Sequence, residues 1–141
     1  MKFNPFCMCC AVGKQEQNIR PFQDMDKKVE YMKINELLNI EFPIIQGGMA
    51  NIATGKFASA ISEAGALGII GAGGMSADKL RAEIRECKSL TGKPFGVNIM
   101  LMNPEADRMA EVVAEEKVAV VTTGAGNPGK YIERWKSCGI K

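Results

Sequence analysis

Apolar and polar residues in this chain are segregated into blocks. Four short runs are apolar nearly throughout: Pro43–Gln46, Leu67–Ile70, Pro94–Ile99 and Val118–Thr122. Such runs suit strands buried on both faces of a parallel sheet. Their first residues, 43, 67, 94 and 118, stand 24, 27 and 24 positions apart. Between and after them, apolar residues recur at helical spacing: Phe57, Ile61 and Ala64; Leu80, Ile84, Cys87 and Leu90; Met109, Val112 and Val113; Tyr131 and Trp135. The pattern predicts strands over 43–46, 66–70, 95–100 and 118–122, with a helix after each. The first helix spans about residues 54–64 and stops at Gly65. The second opens at Ser76, a capping hydroxyl. The third and fourth open with Asn103-Pro104-Glu105 and Asn127-Pro128, where proline's missing N–H removes no helical bond. Ile34–Leu38 reads as a short helix over the N-terminal end of the strands.

Four βα units in succession predict an α/β fold with parallel strands. A TIM (β/α)8 barrel has this rhythm and takes about 250 residues. The predicted fold is therefore the N-terminal half of such a barrel, over residues 32–141. Cys138-Gly139-Ile140-Lys141 stand where a fifth strand begins. Residues 1–31 lie outside the pattern: a short, cysteine-rich apolar stretch and then a polar, charged one. They read as an extension, disordered or foreign to the native protein, with Met32-Lys33-Ile34 as the natural start.

Charge and composition narrow the function classes. The 18 basic and 16 acidic residues give a net charge of +2 without a basic stripe, which argues against nucleic acid as partner. No apolar run approaches the roughly 20 residues of a membrane span. Five cysteines form no secreted disulfide framework, and a cytoplasmic location is expected. Cys7, Cys9 and Cys10 cluster, but the chain has no histidine and no second cysteine pair nearby, so no metal site is expected.

In parallel α/β folds, ligands bind at the carboxyl ends of the strands. Those ends carry Gln46-Gly47-Gly48-Met49-Ala50, Gly71-Ala72-Gly73-Gly74, Asn98 and Thr122-Thr123-Gly124-Ala125-Gly126. These are small residues, backbone amides and neutral polar groups. They suit a flat, hydrogen-bonding cofactor better than a metal, and they include no general base or nucleophile. Gly71-x-Gly73 does not make a dinucleotide fingerprint, because Ser76 occupies the third glycine position. Asn98 is a polar residue inside an apolar strand. Either a core partner or a ligand would satisfy it. Lys130 is a candidate phosphate cation, although a solvated helix lysine is the simpler reading.

Four segments together resemble one family: Phe42-Pro43-Ile44-Ile45-Gln46-Gly47-Gly48-Met49-Ala50, Gly65-Ala66-Leu67-Gly68-Ile69-Ile70-Gly71, Lys93-Pro94-Phe95-Gly96-Val97-Asn98-Ile99-Met100 and Val121-Thr122-Thr123-Gly124-Ala125-Gly126-Asn127-Pro128. They are similar to the FMN-dependent enoyl-acyl-carrier-protein reductases of type II and their sister family, the nitronate monooxygenases (2-nitropropane dioxygenases). The third and fourth segments look more like the reductase branch. The resemblance implies a TIM barrel binding FMN, with NAD(P)H as co-substrate and an enoyl chain on acyl-carrier protein as substrate. It places Gly48, Met49, Ala50, Gly73, Asn98 and Thr123 around the cofactor. It also implies a homodimeric parent enzyme. The family's functional histidine and phosphate loops belong to a later part of its barrel and have no counterpart here, so no catalytic residue is assigned. This chain corresponds to half a flavin site, and no turnover by it alone is expected. Two alternatives remain: a nitronate monooxygenase, and a non-catalytic half-barrel that associates with itself into an oligomer or aggregate.

Overall fold

A computed structural model describes residues 33–141. The predicted extension and the cysteine cluster lie outside the described residues. The elements run α1 (Ile34–Leu38), α2 (Gly55–Glu63), β1 (Gly68–Gly71), α3 (Ala77–Leu90), β2 (Phe95–Met100), α4 (Ala106–Glu115), β3 (Val120–Gly124) and α5 (Gly129–Ser137). The strands pair in parallel in the order β1-β2-β3, with Gly71 opposite Asn98 and Asn98 opposite Thr122. This is the strand–helix alternation of a partial barrel.

The first predicted strand is reduced to one parallel bridge, Ile45 to Leu67. Leu67 N–H donates to Ile44 C=O, and Gln46 N–H donates to Leu67 C=O, both at 2.9 Å. Ile69 N–H then meets the side-chain Oε1 of Gln46 at 2.9 Å. The ladder stops because a side chain occupies the place of the next main-chain carbonyl. At the other edge, Lys141 N–H donates to Ala119 C=O at 3.1 Å, and Val121 N–H to Lys141 C=O at 2.8 Å. The segment read as the start of a fifth strand thus pairs in parallel with β3.

Most apolar burial lies between sheet and helices. Ile70, Val97 and Ile99 pack with Leu80, Ile84, Cys87, Met109, Val113 and Trp135. Full burial of each aliphatic side chain contributes about 1.5–3 kcal/mol. On the opposite sheet face, Leu38 of α1 packs with Leu67, Ile69 and Val120. That contact places α1 where the sequence predicts it. Gly65 ends α2 with φ of 91°, a left-handed conformation that glycine adopts without a Cβ penalty.

Several boundaries and faces differ from the prediction. The buried face of α2 is Gly55, Ala58, Ser59 and Ser62, not Phe57, Ile61 and Ala64. The helix approaches β1 so closely that a Cβ on Gly68 would lie 2.0 Å from the Ala58 carbonyl oxygen. Only small residues fit such a contact, and Phe57 turns outward. Leu90, at the last position of α3, is half exposed rather than part of the apolar face. β1 begins at Gly68 instead of 66, because Leu67 serves the bridge to Ile45. β3 starts two residues later than predicted, because Val118 N–H bonds back to Val113 C=O and closes the end of α4. Asn103 and Asn127 cap turns one step ahead of their helices, accepting from Glu105 N–H (2.8 Å) and Gly129 N–H (2.9 Å).

Two helix starts are also capped from the neighbouring helix. The carboxylate of Glu83 in α3 accepts from Gly55 N–H at 2.7 Å, and that of Glu105 accepts from Ala77 N–H at 2.8 Å. An anion at a helix N-terminus satisfies an orphan donor and opposes the positive dipole end. These caps fix α2 and α3 behind the strands whose ends form the site. Among the described residues, no helix is long and apolar enough to cross a membrane.

Candidate functional site

The carboxyl end of the sheet is covered by residues 47–53, which leave the bridge at Gln46 and arch over β1. The arch is held at its far end. Ala53 C=O accepts from Gly71 N–H at 2.8 Å, and Met49 C=O accepts from Ala53 N–H at 2.8 Å and Ile52 N–H at 3.2 Å. Thr54 Oγ1 then caps α2 by accepting from Phe57 N–H at 3.2 Å.

Gly48 lies directly on the Asn98 side chain: a Cβ there would stand 2.6 Å from the Cβ of Asn98. Asn98 is half-buried, and both its main chain and its amide are engaged. Its carbonyl accepts from Ala72 N–H at 3.0 Å, and Nδ2 donates to Thr122 Oγ1 at 2.9 Å. Its Oδ1 accepts no hydrogen bond from any described residue. A core partner for Asn98 therefore exists, and the amide keeps one free acceptor. Gly73 sits beside Ala50 and Met100; a Cβ on it would be 3.8 Å and 3.7 Å from those side chains.

The structure thus brings Gly48, Met49, Ala50, Gly73 and Asn98 to one end of the sheet. It does not bring the Thr123 side chain there. Thr123 faces the helices and, with Val121, Ile132 and Trp135, lines a separate apolar cavity of about 160 Å³. The hydroxyl beside Asn98 is that of Thr122. The family resemblance names Thr123, whereas the residue whose hydroxyl meets Asn98 is its neighbour Thr122. Strand alternation offers the signal, since Asn98 and its register partner must share a face. Gln46 is placed at the same strand end by the sequence but given no role of its own there; its signal is an amide side chain where the first apolar run ends.

Backbone donors dominate the site. Among the described residues, the N–H groups of Gly47, Gly48, Met49, Ala50 and Asn51 have no protein acceptor, and neither do those of Gly73 and Gly74. None of the side chains at Gln46–Asn51, Gly73, Asn98 or Thr122 is ionisable. The site is therefore a neutral surface of hydrogen-bond donors with the Asn98 amide beside it. Lys130 lies on the helical surface instead, paired with Asp107 at 2.6 Å. The hydrogen bond to Asp107 raises the pKa of Lys130 and lowers that of the carboxylate.

These residues fit FMN. The isoalloxazine ring is flat, and its carbonyl and ring-nitrogen edge accepts hydrogen bonds from N–H donors. Gly48 leaves room for a ring to approach the backbone. None of the described residues at this end of the sheet offers a base or a strong nucleophile, so a bound group would have to supply any redox chemistry.

Comparison with known proteins bears on the fold and the family. The family model for nitronate monooxygenase matches residues 32–136. A dehydrogenase of Mycobacterium tuberculosis that acts on an indene-carboxyl-CoA is 37% identical over 106 residues, covering 75% of this chain and 30% of that protein. A nitronate monooxygenase of Paraburkholderia phytofirmans is 46% identical over 76 residues, covering 53% of this chain and 21% of its own. The solved structure of FabK from Thermotoga maritima superposes with a TM-score of 0.76 at 54% identity, covering 79% of this chain and 36% of that one. This chain spans about a third or less of the length of these proteins. With the family model matched across its four strand–helix units, the chain belongs to the nitronate monooxygenase family of FMN-dependent oxidoreductases.

Proposed function

We propose that this chain is the FMN-binding first half of an enoyl-acyl-carrier-protein reductase that uses NAD(P)H. One observation carries the cofactor assignment: the N–H groups from Gly47 to Asn51 have no acceptor among the described residues, in a loop whose Gly48 lies against Asn98. Bound FMN supplies hydride transfer. The chain's own part is to seat and polarise the ring. The backbone donors of Gly47 to Asn51 would stabilise negative charge on its carbonyl edge, and Asn98, held by Thr122, would help to hold the ring at the sheet. The absence of ionisable groups leaves that charge uncompensated by protons from these residues. The reductase branch is favoured by the 54% identity with FabK across most of the chain. The nitronate monooxygenase reading is supported by a match over 76 residues. An acyl-carrier-protein substrate, a dimeric parent and a cytoplasmic setting follow from the reductase reading.

FMN titrated into the chain should quench flavin fluorescence saturably; unchanged fluorescence would overturn the cofactor assignment. The branch is read in a complete barrel carrying this segment. Crotonyl-thioester-dependent NAD(P)H oxidation is the expected result. Oxygen uptake with an alkyl nitronate, without thioester reduction, would replace the reductase reading with the monooxygenase.

A further inference from the structure

We propose that Gln46 is the positioning residue of the FMN loop, an inference that rests on the cofactor reading above. The argument starts from the interrupted ladder. Two regular rungs join residues 44–46 to Leu67, and the third should take Ile69 N–H to the Gln46 main-chain carbonyl. Ile69 N–H goes instead to Gln46 Oε1 at 2.9 Å. The other end of the same amide, Nε2, donates to the carbonyl of Gly47.

This exchange has a consequence for the loop. The chain is released from the sheet one residue before the glycines, while Ile69, almost fully buried, keeps its hydrogen bond. With the Gly47 carbonyl held by Nε2, that peptide is set against the sheet. The following N–H groups, through Asn51, have no acceptor among the described residues. Gly48 is thereby laid on Asn98, and the Ala53–Gly71 bond closes the arch. Only an amide of this length offers an acceptor to Ile69 and a donor to Gly47 together. Leucine would offer neither. Glutamate at neutral pH would offer the acceptor alone.

The test compares the full chain with Gln46→Leu and Gln46→Glu. Far-UV circular dichroism and melting confirm folding. Amide exchange at Ile69 reads the ladder without any flavin. FMN fluorescence titration reads affinity, and visible circular dichroism at saturating FMN reads how the ring is seated. Gln46→Leu should speed exchange at Ile69, weaken FMN binding about ten-fold and change the visible dichroism while the chain stays folded, as loss of one orienting hydrogen bond would. Gln46→Glu should keep Ile69 protected and still bind FMN more weakly than the parent. If the parent binds FMN and both variants match it in affinity and dichroism, Gln46 does not position the loop. If the parent itself does not bind FMN, the cofactor reading falls and this inference with it. The two failures are therefore distinct.

Discussion

At the scale of single residues, the site works through shape and hydrogen bonding rather than charge. Gly48 is the tightest case. Its missing side chain is what lets the loop rest on Asn98, and Gly48→Ala places a methyl group 2.6 Å from the Asn98 Cβ. The loop must lift, at a cost of about 1–3 kcal/mol. FMN affinity should fall at least about ten-fold, read by fluorescence titration beside the melting temperature; unchanged affinity would mean that the ring does not lie here. Asn98→Leu removes the bond to Thr122 and the free Oδ1 together. It should weaken FMN binding more than it lowers stability, because Thr122 is half-buried and can turn its hydroxyl to solvent. An equal loss in both measurements would make Asn98 a core residue only. The strand-end glycines and Asn98 stand out in the sequence, since each follows or interrupts an apolar strand run. The choice of Thr122 over Thr123 does not, because it depends on which sheet face each side chain meets.

At the scale of elements, carboxylates from the next helix hold the helix starts. Burial alone would raise the pKa of Glu83. Hydrogen bonds from the Lys79 ammonium and Gly55 N–H more than offset this and leave it below the ordinary 4.5. A carboxylate depressed in the folded state stabilises at pH above its unfolded value and loses that contribution as pH falls through the folded one. Glu83→Gln should therefore be less stable than the parent at neutral pH, and the gap in melting temperature should close in acid. A gap that stays constant below pH 4.5 would show that the charge of Glu83 does not matter. Glu83→Ala, which leaves a buried N–H of α2 without its acceptor, should cost about 1–3 kcal/mol in denaturant unfolding. The helices after β1, β2 and β3 were legible from periodicity and capping residues. The inward face of α2 was not. Spacing arguments weight large apolar residues, whereas this helix sits too close to β1 for anything but small ones.

At the scale of the whole chain, the sheet has two edges with different fates. The β3 edge receives Lys141, while the segment beside β1 contributes one bridge and then departs. Ile44, Ile45, Ile52 and Met102 are between 46% and 76% exposed, a large apolar area for a chain this size. Association is the expected response to such a surface and to open strand edges. Size-exclusion chromatography with light scattering should find species larger than 15.3 kDa, increasing with concentration. A monomer at every concentration would overturn this expectation.

The sequence by itself determined the α/β alternation, the parallel strands, the order and approximate places of the helices, and the neutral, glycine-lined character of the strand ends. All of these are local: they depend on periodicity, on capping chemistry, and on residue types that appear only where a turn or a close approach requires them. The four segments also identified the family. Tertiary structure decided what local pattern cannot contain. It reduced the first strand to a bridge by letting the Gln46 amide stand in for a carbonyl, and it set Thr122 beside Asn98. It also turned Phe57 away from the core and left five N–H groups of one loop without acceptors among the described residues. Each of these depends on a partner many positions away in the chain, and only the folded register brings the two together.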